Sequence, residues 1–227
     1  MLPSSNAAAF DAYCNANNQA LPVLARSEPG SWLLNNLGQD LDLRTDLGCY
    51  RVFENGQDRQ EKNLLKLWRD DLVTFAMGCS FSFEEALQIE GVELHYRKRG
   101  EREALYKTNQ FTRSTGSFAG PLLASMRPLR PADAIRAIQV TAKYPGLHGA
   151  PIHIGKPDMI GVELARPYQT LGKISVAEDE LPVFWACGVT PQLALEKAAL
   201  PFAITHVSAH MLITDLRLED LATDSPS

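Results

Sequence analysis

Val183, Phe184, Trp185 and Ala186 form an unbroken apolar run of β-branched and aromatic residues, the pattern of a strand covered on both faces. Gly188 follows as a turn residue, Thr190 as an N-cap, and Pro191 at the first helical position, where a missing N–H is harmless. The pattern predicts strand, tight turn and helix, with Cys187 where the strand gives way to the helix. Backbone N–H groups and the positive end of a helix dipole converge at such a point, favouring anions and thiolates. Open α/β sheets keep their ligands there. Phe75 to Leu87 repeats the arrangement, with a Gly-Cys turn and a capping box from Ser82 and Glu85. Aligning Cys79 on Cys187 sets Ser82 on Thr190, Glu84 on Gln192, Ala86 on Ala194 and Leu87 on Leu195. Two readings follow: a duplication presenting two thiols to one cleft, or two small buried hydrophobes.

Elsewhere the pattern predicts a helix over Ser5 to Asn17 and a strand over Leu21 to Arg26. Cys49 to Gly56 reads as a strand entering an Asn-Gly turn. Leu64, Leu65, Trp68 and Leu72 mark a helical stretch, and Val92 to Gly100 a strand and turn. Gly120 to Pro128 is a strand, and Pro131 to Tyr144 an amphipathic helix burying Ile135, Ile138, Val140 and Ala142. His148 to Gly155 reads as turn then strand, and Phe202 to Asp215 as two strands joined by a turn. The final TDSPS is expected to fray. Alternating strands and helices indicate an α/β fold, a layered mixed sheet with helices. Residues 1–90 and 173–227 are expected to form the main domain, with 91–172 as a smaller inserted α+β unit.

At 227 residues, 45% hydrophobic and 22% charged, the chain has the makings of one large core with or without a satellite. A net charge of −5 and the lack of a basic stripe argue against nucleic acid. The basic cluster Arg97 to Arg102 reads as a solvated hairpin tip. No apolar run is long enough to cross a membrane, and no signal peptide opens the chain. Cys14, Cys49, Cys79 and Cys187 have no zinc-finger or CxxC spacing, so reduced thiols in the cytoplasm are expected. Phosphate-loop, dinucleotide and G-x-S-x-G motifs are absent. No cofactor is expected, a divalent metal is left open, and so is a homo-oligomer.

Four histidines fall in two pairs, His148 with His153 and His206 with His210. Metal ligation, proton transfer and turn stabilisation all suit them. His95 follows strand alternation and carries no role. Arg127 in SMRP and Arg113, in a polar loop after YKTN (Tyr106 to Asn109), offer two guanidiniums for a dicarboxylate, or local ion pairs. Arg69, Asp70 and Asp71 read as a structural network.

Taken together, WRDD, GCSFSFE, YKTN, SMRP, HGAPIHIG, PVFWACGVTPQ and ITH…HMLITD occur in that order over Leu2 to Asp215. This set resembles the bacterial hydro-lyase family related to the mitochondrial D-glutamate cyclase. The resemblance implies an α/β main domain with a smaller insert, and conversion of D-glutamate to 5-oxo-D-proline with loss of water. On this reading His148, His206 and His210 are the acid–base candidates. Arg127, Arg113, Asn109, Ser80, Gly188 and Thr190 would bind it, N–H groups at Cys79–Ser80 and Cys187–Gly188 forming the oxyanion site. Three departures stand out. Family members begin some tens of residues earlier; if those residues line the cleft, this chain is a truncated or inactive form. Val207-Ser208-Ala209 replaces Ala-Pro-Gly, and Lys156 stands where an aspartate is usual.

Two rival readings use the same residues. Cys79 and Cys187 on opposite sides of a substrate would make a cofactor-independent racemase or epimerase. A chain that binds a small carboxylic or amino acid without turnover would be a sensor or carrier.

Overall fold

The computed structural model describes residues 1–170 and 172–223, so most of the TDSPS run, 224–227, lies outside the described residues. In chain order the elements are β1 (Leu2–Pro3), α1 (Ser4–Ala16), β2 (Val23–Arg26), β3 (Tyr50–Glu54), β4 (Gln57–Glu61), β5 (Leu72–Val73), β6 (Phe75–Met77), α2 (Phe83–Ile89) and α3 (His95–Lys98). Then follow β7 (Ala104–Phe111), β8 (Pro121–Leu129), α4 (Pro131–Ala142), β9 (His153–Ile154), β10 (Gln169–Thr170), β11 (Leu181–Ala186), α5 (Thr190–Ala198) and β12 (Phe202–His206). The fold is α/β. Its main sheet has the order β10-β7-β8-β11-β9, beside a three-stranded sheet β12-β3-β4 and the pairs β2-β6 and β1-β5. Every strand pairing among the described residues is antiparallel.

β11 is covered on both faces, as its sequence requires. Val183 and Trp185 point to one side, where Phe83, Ala86 and Leu87 of α2 and Ala134, Ala137 and Val140 of α4 meet them. Phe184 turns the other way onto Tyr106, Ala124 and Met126, and Ala186 onto Phe10 and Tyr13 of α1. The buried indole N–H of Trp185 donates to Thr141 Oγ1 at 3.2 Å, satisfying the polar atom of the largest buried side chain. β11 also joins β8, from within 91–172, over six residue pairs, so one continuous sheet runs across the expected domain boundary. Among the described residues no helix is long and apolar enough to cross a membrane.

Several local expectations are corrected. Leu64 to Trp68 makes a single hydrogen-bonded turn rather than a helix. The expected strand at Val92 to Gly100 contains the four-residue helix α3, so its basic residues are exposed as expected but end a helix and do not tip a hairpin. Arg97 reaches Glu84 and Arg99 reaches Glu180, because both carboxylates are buried and demand a counter-charge. α4 buries Ala134, Ala137, Val140 and Thr141, leaving Ile135 62% and Ile138 37% exposed. Small side chains let the helix lie close to the sheet, and the 3.6-residue period then turns the isoleucines outward. β7 extends through the supposedly polar YKTN segment, and β12 is not followed by a second strand. The Asn55-Gly56 turn between β3 and β4 is as expected, with φ of 51° and 81°.

Candidate active site

The two strand–turn–helix units end at the same place. In each, the N–H three residues after the cysteine donates to the cysteine carbonyl: Ser82 to Cys79 at 3.1 Å, Thr190 to Cys187 at 2.9 Å. In each, the next bond is also shared: Glu84 N–H to Phe81 O at 3.2 Å, Gln192 N–H to Val189 O at 3.0 Å. The thiols in turn take N–H bonds from Phe81 and Val189. The turns also touch, since a Cβ on Gly188 would lie 3.3 Å from the Gly78 carbonyl oxygen. Side-chain capping plays no part. Ser82 is already helical and makes no cap bond. The Thr190 hydroxyl accepts from Leu123 N–H at 3.1 Å, tying α5 to β8, so Thr190 is a buried strut and not a substrate contact.

Cys79, Ser80, Cys187 and Gly188 line one cavity of about 420 Å³, joined by Arg127, Glu103, Ser125, Gln169, Gln192 and His206. Much of the remaining wall is apolar, with Leu24, Leu37, Leu43, Phe75, Leu212 and Leu216 among its residues. Neither thiol is poised as a thiolate. Burial pushes Cys79 up and Cys187 up to about 12, more than the turn N–H groups and the Arg127 charge pull them down. The expectation of activated thiolates is corrected by desolvation.

Arg127 is fully buried at the end of β8, with its guanidinium over the Phe83 ring at 4.8 Å. Its Nε donates to Glu84 Oε1 at 2.6 Å, Nη1 to Ser125 Oγ at 3.0 Å, and Nη2 to Ser80 Oγ at 3.2 Å and Ser80 O at 3.3 Å. Burial opposes its charge, but Glu84, Tyr96 and Glu103 raise its pKa further above the ordinary value. Sequence reasoning gave no role to those three. The Tyr96 hydroxyl lies 3.0 Å from Glu84 Oε1 and 2.7 Å from Glu103 Oε1, and Arg97 Nη2 lies 2.7 Å from Glu84 Oε2. Burial raises Glu84, outweighing Arg127. Burial also acts on Glu103, but the Tyr96 hydroxyl and the Arg127 charge prevail and hold it low. One signal was legible: Glu84, three residues before Leu87, falls on the apolar face of α2.

The histidines part company. His206 lines the cavity; its Nδ1 meets Val207 O at 2.8 Å, and burial lowers its pKa. His210 is exposed beside Gly48, outside the cavity wall, with Nδ1 3.2 Å from Ser208 O. His148 is wholly buried behind the turns rather than in the cavity. Its Nδ1 is 2.9 Å from Gln19 O, its φ is 77°, and burial lowers its pKa to about 4. Nε2 faces the turns, 3.7 Å from a Cβ built on Gly188. The paired guanidiniums are also corrected. Arg113 is exposed at a separate cleft with Asn15, Asn17 and Gln19, because its backbone is clasped by the Asn17 side chain at 2.7 and 2.9 Å. Asn109 is exposed on β7, packed under Gly161 and away from the cavity. Arg69 and Asp71 pair at 2.7 Å in a structural network, as expected. Among the described residues no three His, Cys, Asp or Glu side chains gather as a metal site.

An antiparallel-sheeted α/β protein with a buried arginine–carboxyl network behind a two-thiol cavity is the class these features define. The D-glutamate cyclase family profile matches residues 73–215, and the chain belongs to that family. It is 48% identical over 223 residues to a protein of Bradyrhizobium sp. (strain BTAi1) named "Putative hydro-lyase", covering 98% of this chain and 82% of that one. Similarly named proteins match at 48%, again over 98% of this chain: one of Paraburkholderia phytofirmans, 86% covered, and one of Burkholderia cenocepacia, 87% covered.

Proposed function

We propose that this chain is a hydro-lyase that closes D-glutamate to 5-oxo-D-proline and water. The observation that carries the reading is a single cavity whose wall holds the buried Arg127 cation, the His206 imidazole and the two touching Gly-Cys turns. Family membership supports the reaction type. The α-amine must be neutral to attack the γ-carboxyl. His206, whose pKa burial lowers, is neutral near pH 7 and suited to take that proton through Nε2. Arg127 keeps one of its five N–H groups, the second on Nη1, for a substrate carboxylate, while Glu84, Ser125 and Ser80 hold the other four. The N–H groups around Cys79–Ser80 and Cys187–Gly188 suit an oxyanion. Both reacting groups belong to one molecule, so holding it folded supplies much of the rate without ATP.

The test is a mass-spectrometric assay of the purified protein with D-glutamate and, separately, L-glutamate, with and without a divalent metal. 5-Oxoproline from the D-isomer alone is expected. Product from neither isomer sinks the reading, and tight calorimetric binding without product would make the chain a carrier. A second reading, proton exchange at Cα between Cys79 and Cys187, draws on the twin turns; the burial that keeps both as thiols stands against it. It requires Cα deuteration in heavy water that serine at either cysteine abolishes.

A further inference from the structure

Glu84 and Glu103 are 1% and 4% exposed, and the Tyr96 hydroxyl sits within hydrogen-bond distance of one oxygen of each. A phenol has one hydrogen to donate. Both contacts are hydrogen bonds only when a second proton resides on one of the carboxyls. Glu103 lines the cavity and Glu84 does not. The groups that face this pair are Arg127 from β8, Arg97 from α3 and the Cys79 thiol, whose charge interactions include Arg127, Glu84 and Glu103. The pair is thus a two-carboxyl unit with one proton bridged by a phenol and one member open to substrate. Paired acids with separated environments commonly divide acid and base roles.

We propose that Glu103 is a catalytic residue that exchanges protons with the reacting oxygen and nitrogen at the cavity wall, with Glu84 and Tyr96 as the buried store that resets it. The proposal rests on the cyclase reading for its substrate. Lactam closure forms a C–N bond, breaks a C–O bond, and moves two protons from the nitrogen to the departing oxygen. In the first exchange His206 takes a proton from the ammonium, and Glu103, supplied with the Glu84 proton through the Tyr96 hydroxyl, gives one to the γ-carboxylate. After the nitrogen lone pair forms the C–N bond, the roles reverse. Glu103 recovers a proton from the nitrogen, and protonated His206 returns one to the hydroxyl, which leaves with the C–O electron pair as water. Glu103 then passes its proton back through Tyr96 to Glu84, and every group ends as it began.

One arm of the test needs no substrate. Infrared difference spectra of the full chain across a pH titration should show a protonated-carboxyl C=O stretch persisting above the ordinary glutamate value of about 4.3. Both Glu84→Gln and Glu103→Gln should remove it. Tyr96→Phe, which keeps the ring and deletes only the bridging hydroxyl, should shift it, and serves where a charge variant fails to fold. No such stretch in the wild type overturns the proposal, whatever the protein converts. In the second arm Glu103→Gln should lower kcat for D-glutamate by roughly 10²–10⁴-fold with KM little changed. Tyr96→Phe should lower it by a smaller factor and displace the acid limb of the pH profile. Wild-type kcat in Glu103→Gln overturns the assignment. The expected infrared behaviour without any 5-oxoproline upholds the proton store and refutes the substrate reading instead.

Discussion

Replacing Arg127 by Met probes the arginine–carboxyl network directly. The guanidinium is fully buried and its partner Glu84 is 1% exposed, joined at 2.6 Å. Methionine fills part of the volume and keeps contact with Phe83 and Trp185, so the dominant loss is charge compensation. Removing one partner of a buried pair costs about 3–5 kcal/mol, because the other charge stays desolvated. For a chain of this length each kcal/mol moves Tm by about 2–4 °C, so a fall of roughly 6–20 °C is expected by calorimetry. Adding Glu84→Gln to Arg127→Met should recover about 1–3 kcal/mol, since the stranded charge is gone. pH supplies an internal control. Without Arg127, burial and the Glu103 charge are opposed by Arg97 alone, and the folded pKa of Glu84 rises further above the unfolded value of about 4.3. The folded state then holds a proton that the unfolded chain releases. Stability is present at low pH and lost as pH rises through the folded pKa, so the deficit of Arg127→Met should be smaller at pH 5 than at pH 8. An equal deficit at both, with no rescue by Glu84→Gln, would refute the charge-compensation argument.

Burial holds the His148 pKa near 4 against 6.5 unfolded, so the unfolded chain binds the proton first as pH falls. The stability it contributes above pH 6.5 is lost by pH 4, about 3 kcal/mol for one group, and His148→Asn, which tolerates positive φ, should flatten that slope in urea melts. A Cβ on Gly78 would stand 1.7 Å from the Gly146 carbonyl oxygen. Gly78→Ala should therefore destabilise by at least about 1–3 kcal/mol and disturb the Cys79 turn; a wild-type Tm would contradict this packing. Ala209 holds a φ of 69°, a region that glycine enters without strain. In Ala209→Gly, relief of about 1 kcal/mol of strain meets a similar loss of chain entropy, so denaturant midpoints should be unchanged or slightly higher, and a clear fall would argue against strain.

Local sequence was enough to find the strand–turn–helix units around Cys79 and Cys187, the Asn55-Gly56 hairpin and the start of α4 at Pro131. Each rests on local chemistry: continuous apolar runs, glycine at positive φ, proline at a first helical turn. It also marked Arg127, Ser80, Gly188 and His206 as candidates, and all four line the cavity. Partnership was another matter. That Arg113 and Asn109 lie elsewhere, that His148 sits behind the turns, and that Arg97 and Arg99 serve buried glutamates are consequences of β7 and β8 pairing and of α2 packing on β11. Local pattern says which residues are polar and on which face they fall. It does not say which distant backbone passes within 3 Å. Glu84 and Glu103 keep company with Arg127 only because burial removes the water that would otherwise solvate all three, and burial is a property of the assembled layers alone.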